Sequence, residues 1–419
     1  MIGSELPKGW KLVPLKEITS IIRGVSYPKE EAKLHPEENY VHILRGGNIQ
    51  DGKIVFETDD NVYVNSSLVG EEQFVLKDDV VIVASTGSKK VIGKAATIEE
   101  DSRCISFGAF LLLLRTNVID KRFHSYFFQT QYYRNTISSL AGGININNIK
   151  KEHIENLQIP LPPLTEQKQI AEKLDKLFDQ IETIKEASSK IPELLKNFRQ
   201  QVLTYAVTGK LTNSDFAHWE KSTIGAIGKV KGGKRLPKGE ELVNYNTGYQ
   251  YIRARDLKEG TVLKQNIMYL LPETQEKIKN YIVKTNDVYI TIVGAKIGDA
   301  GIIPESMNNA NLTENAAKIT DLSEKIMPQY LSLWLQAPLC QSEIQQSIKS
   351  AAQGKLALTR INSLSVCFPP IESQKEIIDK VEYLLGELKI IESKFYQLQN
   401  ILEKLPQALL CKAFKGGLL

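Results

Sequence analysis

"LPPLTEQKQIAEKLDKLF" (161–178) and "FPPIESQKEIIDKVEYLL" (368–385) can be laid over each other 207 residues apart without a gap. The offset holds as far as Leu211 and Leu418, pairing Gln167 with Gln374, Lys173 with Lys380, and Gly209 with Gly416. Each double proline bars a helix from entering from upstream. Behind it, apolar residues recur in alternating steps of four and three. The first series is Ile170, Leu174, Leu177, Ile181, Ile184, Ser188, Ile191, Leu195, Phe198, Val202 and Tyr205. The second is Ile377, Val381, Leu384, Leu388, Ile391, Phe395, Leu398, Leu402, Leu405, Leu409 and Lys412. A 3.5-residue period sustained this long is a coiled-coil seam. At 1.5 Å per residue the stripe is about 60 Å long and cannot bury itself. Its copy is the expected partner, and antiparallel pairing closes a pseudo-two-fold arrangement, although the period alone also admits a parallel pair. Pro192 and Pro406 lie inside the pattern and are expected to kink or split their helices. Gly209 and Gly416-Gly417 are the expected stops.

The regions before the helices echo each other more faintly. Trp10 matches Trp219, Gly24 matches Gly233, and "ILRGGNIQDG" (43–52) matches "YIRARDLKEG" (251–260). "VHILRGGNI", "DDVVIVAST", "GAFLLLLR" and their counterparts read as short strands. "DKRFHSYFFQTQYYRNTISSL" and "MPQYLSLWLQAPLCQSEIQQSI" read as helices. The class is α+β: two mixed α/β globular domains separated by two long helices that pair as an antiparallel coiled coil, with an internal pseudo-two-fold repeat. The segments run 1–160, 161–212, 213–367 and 368–419. Helices that are alike and domains that have diverged suggest two copies of one scaffold carrying two different tasks.

Composition narrows the class. At 419 residues, 42% hydrophobic and 24% charged, the chain is ordinary globular material for two or more cores. No apolar run approaches twenty residues, and "MIGSELPKGWKLVPL" lacks a signal-peptide pattern, so neither a membrane nor secretion is expected. Four scattered cysteines without a CxxC pair point to the reducing cytoplasm. Net charge is only +4, but residues 218–365 carry 19 basic against 14 acidic side chains and residues 1–164 carry 19 against 20. A nucleic-acid partner would therefore be held by local basic loops, not by the bulk field.

No catalytic constellation stands out. "GSKKVIGKA" (87–95) has five residues between its glycines and Ala95 after Lys94, so it is not a phosphate loop. Leu161 and Phe368 stand where a nucleobase methyltransferase would have Asn or Asp before its prolines. The five histidines show no metal-ligand spacing, and Asp59-Asp60 and Asp78-Asp79 read as solvated turns. No catalytic, cofactor-binding or metal residue is assigned. What remains is basic and polar loop chemistry, in which Arg suits guanine, Asn or Gln suits adenine, and Lys suits phosphate. The candidate DNA-binding residues are Arg45, Asn48, Ser88, Lys89, Lys90, Lys94, Asn145 and Asn147 in the first domain. In the second they are Lys231, Lys234, Arg235, Gln250, Arg253, Arg255, Lys296, Gln353 and Lys355. Arg45 and Arg253 recur at matched strand ends, which also fits a structural role.

With the order of segments, "LPPLTEQKQIAEKLD" and "FPPIESQKEIIDKVE", the Gly9-Trp10 opening, and the tails "AVTGKLT" (206–212) and "AFKGGLL" (413–419), the whole chain resembles the DNA-specificity subunit of a type I restriction-modification system. The second tail departs from Gly-Lys-Leu, so its last turn is expected to pack differently. The resemblance implies two target-recognition domains, each reading one half of a bipartite site on double-stranded DNA, with the paired helices as spacer. It implies no catalysis by this chain. It also implies two methyltransferase subunits carrying S-adenosylmethionine, with restriction/translocase subunits joining them. The competing readings are a coiled-coil adaptor that does not read DNA, and a self-contained nuclease or methyltransferase with an unrecognised site.

Overall fold

A strand that ends in two prolines and a helix that starts behind them must change direction with their terminal polar groups still satisfied, and this junction organises both halves of the chain. The computed structural model describes residues 6–50, 52–56, 61–141, 147–212, 215–349 and 354–419. It divides into two compact units, Met1–Ser188 with Gln397–Leu419, and Ser189–Tyr396.

In the first unit, strands Ser20–Arg23, Leu111–Arg115, Val80–Val83 and Ala95–Thr97 form an antiparallel sheet in that spatial order. Strand residues alternate between its faces. Val80, Ile82, Leu112 and Leu114 meet the helices, and Val81, Val83, Leu111 and Leu113 meet a second core. That is why these strands read as unbroken apolar runs. A three-stranded sheet, Ile105–Phe107, Tyr40–Leu44 and Val62–Asn65, is built from strands interleaved with these along the chain, its first pair parallel. The helical stretch 120–140 is two helices, α1 (Lys121–Phe128) and α2 (Gln131–Leu140), because Thr130 caps the second. The first half of the first seam is α3 (Leu164–Ser188). Ile170, Leu174 and Ile181 are buried, and Leu177 packs against the core shared with Leu410, Ala413 and Phe414. Ile184 stays about 43% exposed, one turn before the helix breaks.

The second unit starts with the other half of that seam, α4 (Ile191–Val207), with Pro192 in its first turn. Proline is favoured at a helix start and costly in an interior, so the first segment divides here, as its sequence indicates. The sheet is rebuilt from Lys229–Gly232, Ala316–Thr320, Val288–Thr291 and Ala300–Ile302, with Met268–Tyr269, Gln250–Ile252 and Asn311–Leu312 beside it. Two helices follow, α5 (Pro328–Gln336) and α6 (Pro338–Lys349), divided at Pro338. The second seam is one unbroken helix, α7 (Ile371–Ala413). Pro406 lies inside it and does not end it. The last turn is held instead by burial of Leu410, Ala413 and Phe414, which outweighs the lost backbone bond. Along α7, Ile377, Val381, Leu388 and Leu402 are buried and Leu384 and Leu398 partly so. Ile191 and Leu195 of α4 are also partly buried. Ile391 is about 51% exposed beside the polar Arg199–Glu392 contact, while Ser188 and Phe395, the midpoints of the two series, are buried.

Each unit contains an antiparallel helix pair in the same register. Lys173 Nζ donates to the Leu418 carbonyl at 2.7 Å in the first, and Lys380 Nζ to the Leu211 carbonyl at 3.4 Å in the second. Gly209 and Gly416 turn both tails at φ +77° and +75°. The last turns nevertheless differ, as the second tail's sequence indicates: Leu211 donates to the Tyr205 carbonyl, whereas Gly417, one repeat position earlier, donates to the Lys412 carbonyl.

The junction is also duplicated. Gln167 is buried; its Nε2 donates to the Pro162 carbonyl and its Oε1 accepts from the Asp120 N–H at the start of α1. Gln374 is fully buried; its Nε2 donates to the carbonyls of Pro369 and Lys325, and its Oε1 accepts from the Met327 N–H at the start of α5. One side chain thus fastens strand, spacer helix and domain helix together. Replacing either glutamine by leucine would strand these partners, at about 1–3 kcal/mol per buried group. Gln374→Leu should be the more destabilising because it loses three bonds against two. Denaturant unfolding midpoints for both variants check this, and unchanged midpoints would remove the junction from the stability argument.

Candidate nucleic-acid interface

Four chain segments converge at one tip of the first unit. Val25 donates to the Phe107 carbonyl, and Ala109 donates back to the Val25 carbonyl. Ala84 and Ser85 both donate to the Phe110 carbonyl, and Ile149 donates to the Ala84 carbonyl. The Ser85–Thr86 strand pairs with Asn147–Asn148. The crossing is so close that a Cβ on Gly24 would lie 2.1 Å from the Gly108 carbonyl oxygen. Only glycine fits there.

The second unit builds the same tip. Lys234 donates to the Leu312 carbonyl, Ile292 and Val293 donate to the Asn315 carbonyl, and Leu356 donates to the Ile292 carbonyl. A Cβ on Gly233 would lie 1.9 Å from the Thr313 oxygen. The main crossing bonds of the scaffold are therefore repeated, while the side chains on it differ.

Several of the sequence-assigned residues lie on the chain segments that meet at these crossings. Ser88, Lys89 and Lys90 are exposed on the loop after Thr86, and Lys94 is half-buried on its return. Asn147 joins through its backbone. Arg45 is half-buried directly after the strand whose Leu44 carbonyl accepts from Gly108. In the second unit Lys231, Lys234, Arg235, Arg255, Lys296 and Lys355 are exposed, and Gln250 is half-buried at the start of its strand. Lys234 lies 5.5 Å over the Tyr281 ring. Arg235 is held by Glu314 at 2.7 Å, and that hydrogen bond raises its pKa. Lys296 lies 4.0 Å from Asp299, whose carboxyl burial pushes up and Lys296 draws down. Asn145 and Gln353 fall outside the described residues.

Two assignments are corrected by the geometry. Asn48 is buried at 1% exposure; it accepts from the Arg45 N–H and donates to the Val55 carbonyl, so it shapes the turn below the tip. Arg253 holds both carboxylate oxygens of buried Asp256 and also the Asn266 carbonyl. These are equivalent turns in the two units, so the matched "R…N" and "R…D" are structural. Asp79 is likewise no solvated turn residue. It is 3% exposed and paired with Arg115 at 2.6 Å. Among the described residues no group of three His, Cys, Asp or Glu could hold a metal ion, and no helix is long and apolar enough to cross a membrane.

The duplicated scaffold corresponds to a known family. The family model for the type I restriction modification DNA specificity domain matches residues 7–193 and again 217–400. The chain belongs to this family. It is 35% identical to the StySPI specificity subunit of Salmonella potsdam, over 100% of this chain and 91% of that one. It is 34% identical to the EcoKI specificity subunit of Escherichia coli K12, with the same coverage. Among solved structures, a type I restriction-modification assembly chain aligns with TM-score 0.73 at 17% identity, covering 99% of this chain and 100% of that one. The HsdS subunit of Thermoanaerobacter tengcongensis aligns with TM-score 0.66 at 18% identity, covering 99% of this chain and 98% of that one. The protein is thus a type I specificity subunit, and the duplicated tip is a feature of its two specificity domains.

The tip gives a stability test. Gly24→Ala forces a backbone clash, whereas Gly47→Ala in the same unit meets nothing within 4 Å. The first should cost about 2 kcal/mol or more, read as a lower thermal unfolding midpoint, and the second much less. Equal midpoints would show that the crossing relaxes freely.

Proposed function

We propose that each specificity domain reads one half of a bipartite site on double-stranded DNA through its four-segment tip, and that the paired helices set the distance between the halves. The observation that carries this reading is the same backbone site built twice with different exposed side chains. A structural adaptor would have no use for two different sets of polar and basic groups on identical frames. Lysines such as Lys89, Lys90 and Lys355 supply phosphate contacts, which position the protein without choosing sequence. The chain performs no chemistry itself. Two methyltransferase subunits carrying S-adenosylmethionine bind the helical region, and restriction/translocase subunits complete the assembly.

Two measurements test this. Replacing residues 218–365 by the corresponding domain of a relative should change one half-site and leave the other, as read by base-resolution adenine methylation in cells with and without this chain. If both half-sites change, the domains are not independent readers. Inserting seven residues into each helix, after Ile181 and after Leu388, adds about 10 Å of helix. The unread spacer should lengthen by roughly three base pairs at about 3.4 Å each, with both half-sites kept. A methylated motif with its original spacing would refute the helices as the ruler.

A further inference from the structure

The alignment of the two tips by their backbone bonds brings together two positions that the sequence repeat does not. Ala84 and Ser85 donate to the Phe110 carbonyl; Ile292 and Val293 donate to the Asn315 carbonyl. Gly108 and Thr313 occupy the same turn, receiving their bonds from Leu111 and Ala316 and giving theirs to Leu44 and Ile252. Phe110 and Asn315 are therefore one structural position holding two chemistries. Each backbone carbonyl is fixed by two N–H groups, so the side chain leaves a rigid support. Phe110 is 65% exposed, and among the described residues it stacks on no other ring. The Asn315 carboxamide makes no hydrogen bond with any described residue, although its backbone N–H is held by Thr313. A single exposed phenylalanine is unremarkable on a protein surface. An exposed phenylalanine on a doubly anchored turn, beside the Ser88–Lys90 loop and replaced by a free amide in the sister domain, is not explained by folding.

We propose that Phe110 and Asn315 are specificity-determining residues, one for each half-site. This rests on the reading that the tips contact DNA. The chemistry assigns their targets. A phenyl ring offers no hydrogen bond and makes an apolar contact with the thymine 5-methyl group. A free carboxamide presents a donor and an acceptor to the N6 and N7 edge of adenine. The two domains thus differ at this position by the class of base they prefer.

The test uses the full chain assembled with its methyltransferase subunits. Affinity is measured for duplexes in which each half-site base is changed in turn, alongside methylation in cells. Phe110→Ala should relax the preference for one thymine in one half-site, and Asn315→Ala the preference for one adenine in the other, each by roughly 5- to 100-fold. Phe110→Asn should shift its position towards adenine. Base preferences unchanged at every position would overturn the assignment, as would an equal loss of affinity for all duplexes. The exchange of residues 218–365 in the same assay separates the two levels. If it switches a half-site while the point variants do nothing, only this assignment fails. If it switches neither half-site, DNA reading by the domains fails with it.

Discussion

A buried primary amide has one acceptor oxygen and two donor hydrogens, and the fold depends on where Gln167 and Gln374 place theirs. Behind a double proline, the strand's last carbonyls and the next helix's first N–H groups have no regular partners. Gln374 satisfies three groups from two segments, and Gln167 satisfies two. Water could serve the same groups only if the junction were open, and it is closed by the surrounding core. The amide therefore has to be made correctly or the site is unpaired, which gives each domain one angle of attachment to its helix.

From that joint outward, the structure separates what must be fixed from what is free. The central sheet of each unit is covered on both faces, so its strands are nearly all apolar and tolerate little change. The tip is assembled from backbone bonds and from glycines that nothing larger can replace. Its frame does not depend on which side chains it displays. A surface organised this way can change its outward chemistry at little cost to stability, and that is the property a recognition element needs.

The helices were the most legible part of the chain. Their seam, the break at Pro192 and the glycine stops all follow from period and backbone chemistry. The exposure of Ile184 and Ile391 was not legible, since apolar spacing says nothing about whether a facing residue is present. Pro406 reads as a kink or a split; the helix is not split there, and Leu410, Ala413 and Phe414 after it are buried. At the tips, the lysines and Arg235 stood out as candidates because charge in a glycine-rich loop is conspicuous. It placed Asn48 and Arg253 on the DNA side because their side-chain types suit bases, whereas their partners, Val55 and Asp256, can be identified only in the folded turn. Phe110 was read as part of a strand. Its equivalence to Asn315 breaks the 207-residue offset and emerges only from the hydrogen-bond register.

The division into units has a consequence for how the chain is made. Residues 189–396 form one uninterrupted stretch and can close on themselves as soon as they have been synthesised. The other unit is discontinuous: Lys173 waits for a carbonyl 245 residues further on, and Gln131 for a side chain 276 residues away. Its helix α3 must leave an apolar face uncovered through most of translation, until residues 397–419 arrive. The amino-terminal domain is thus the last to be completed. Ribosomal order and folding order run opposite to each other, and the interval between them is when this protein is most exposed to aggregation and to chaperones.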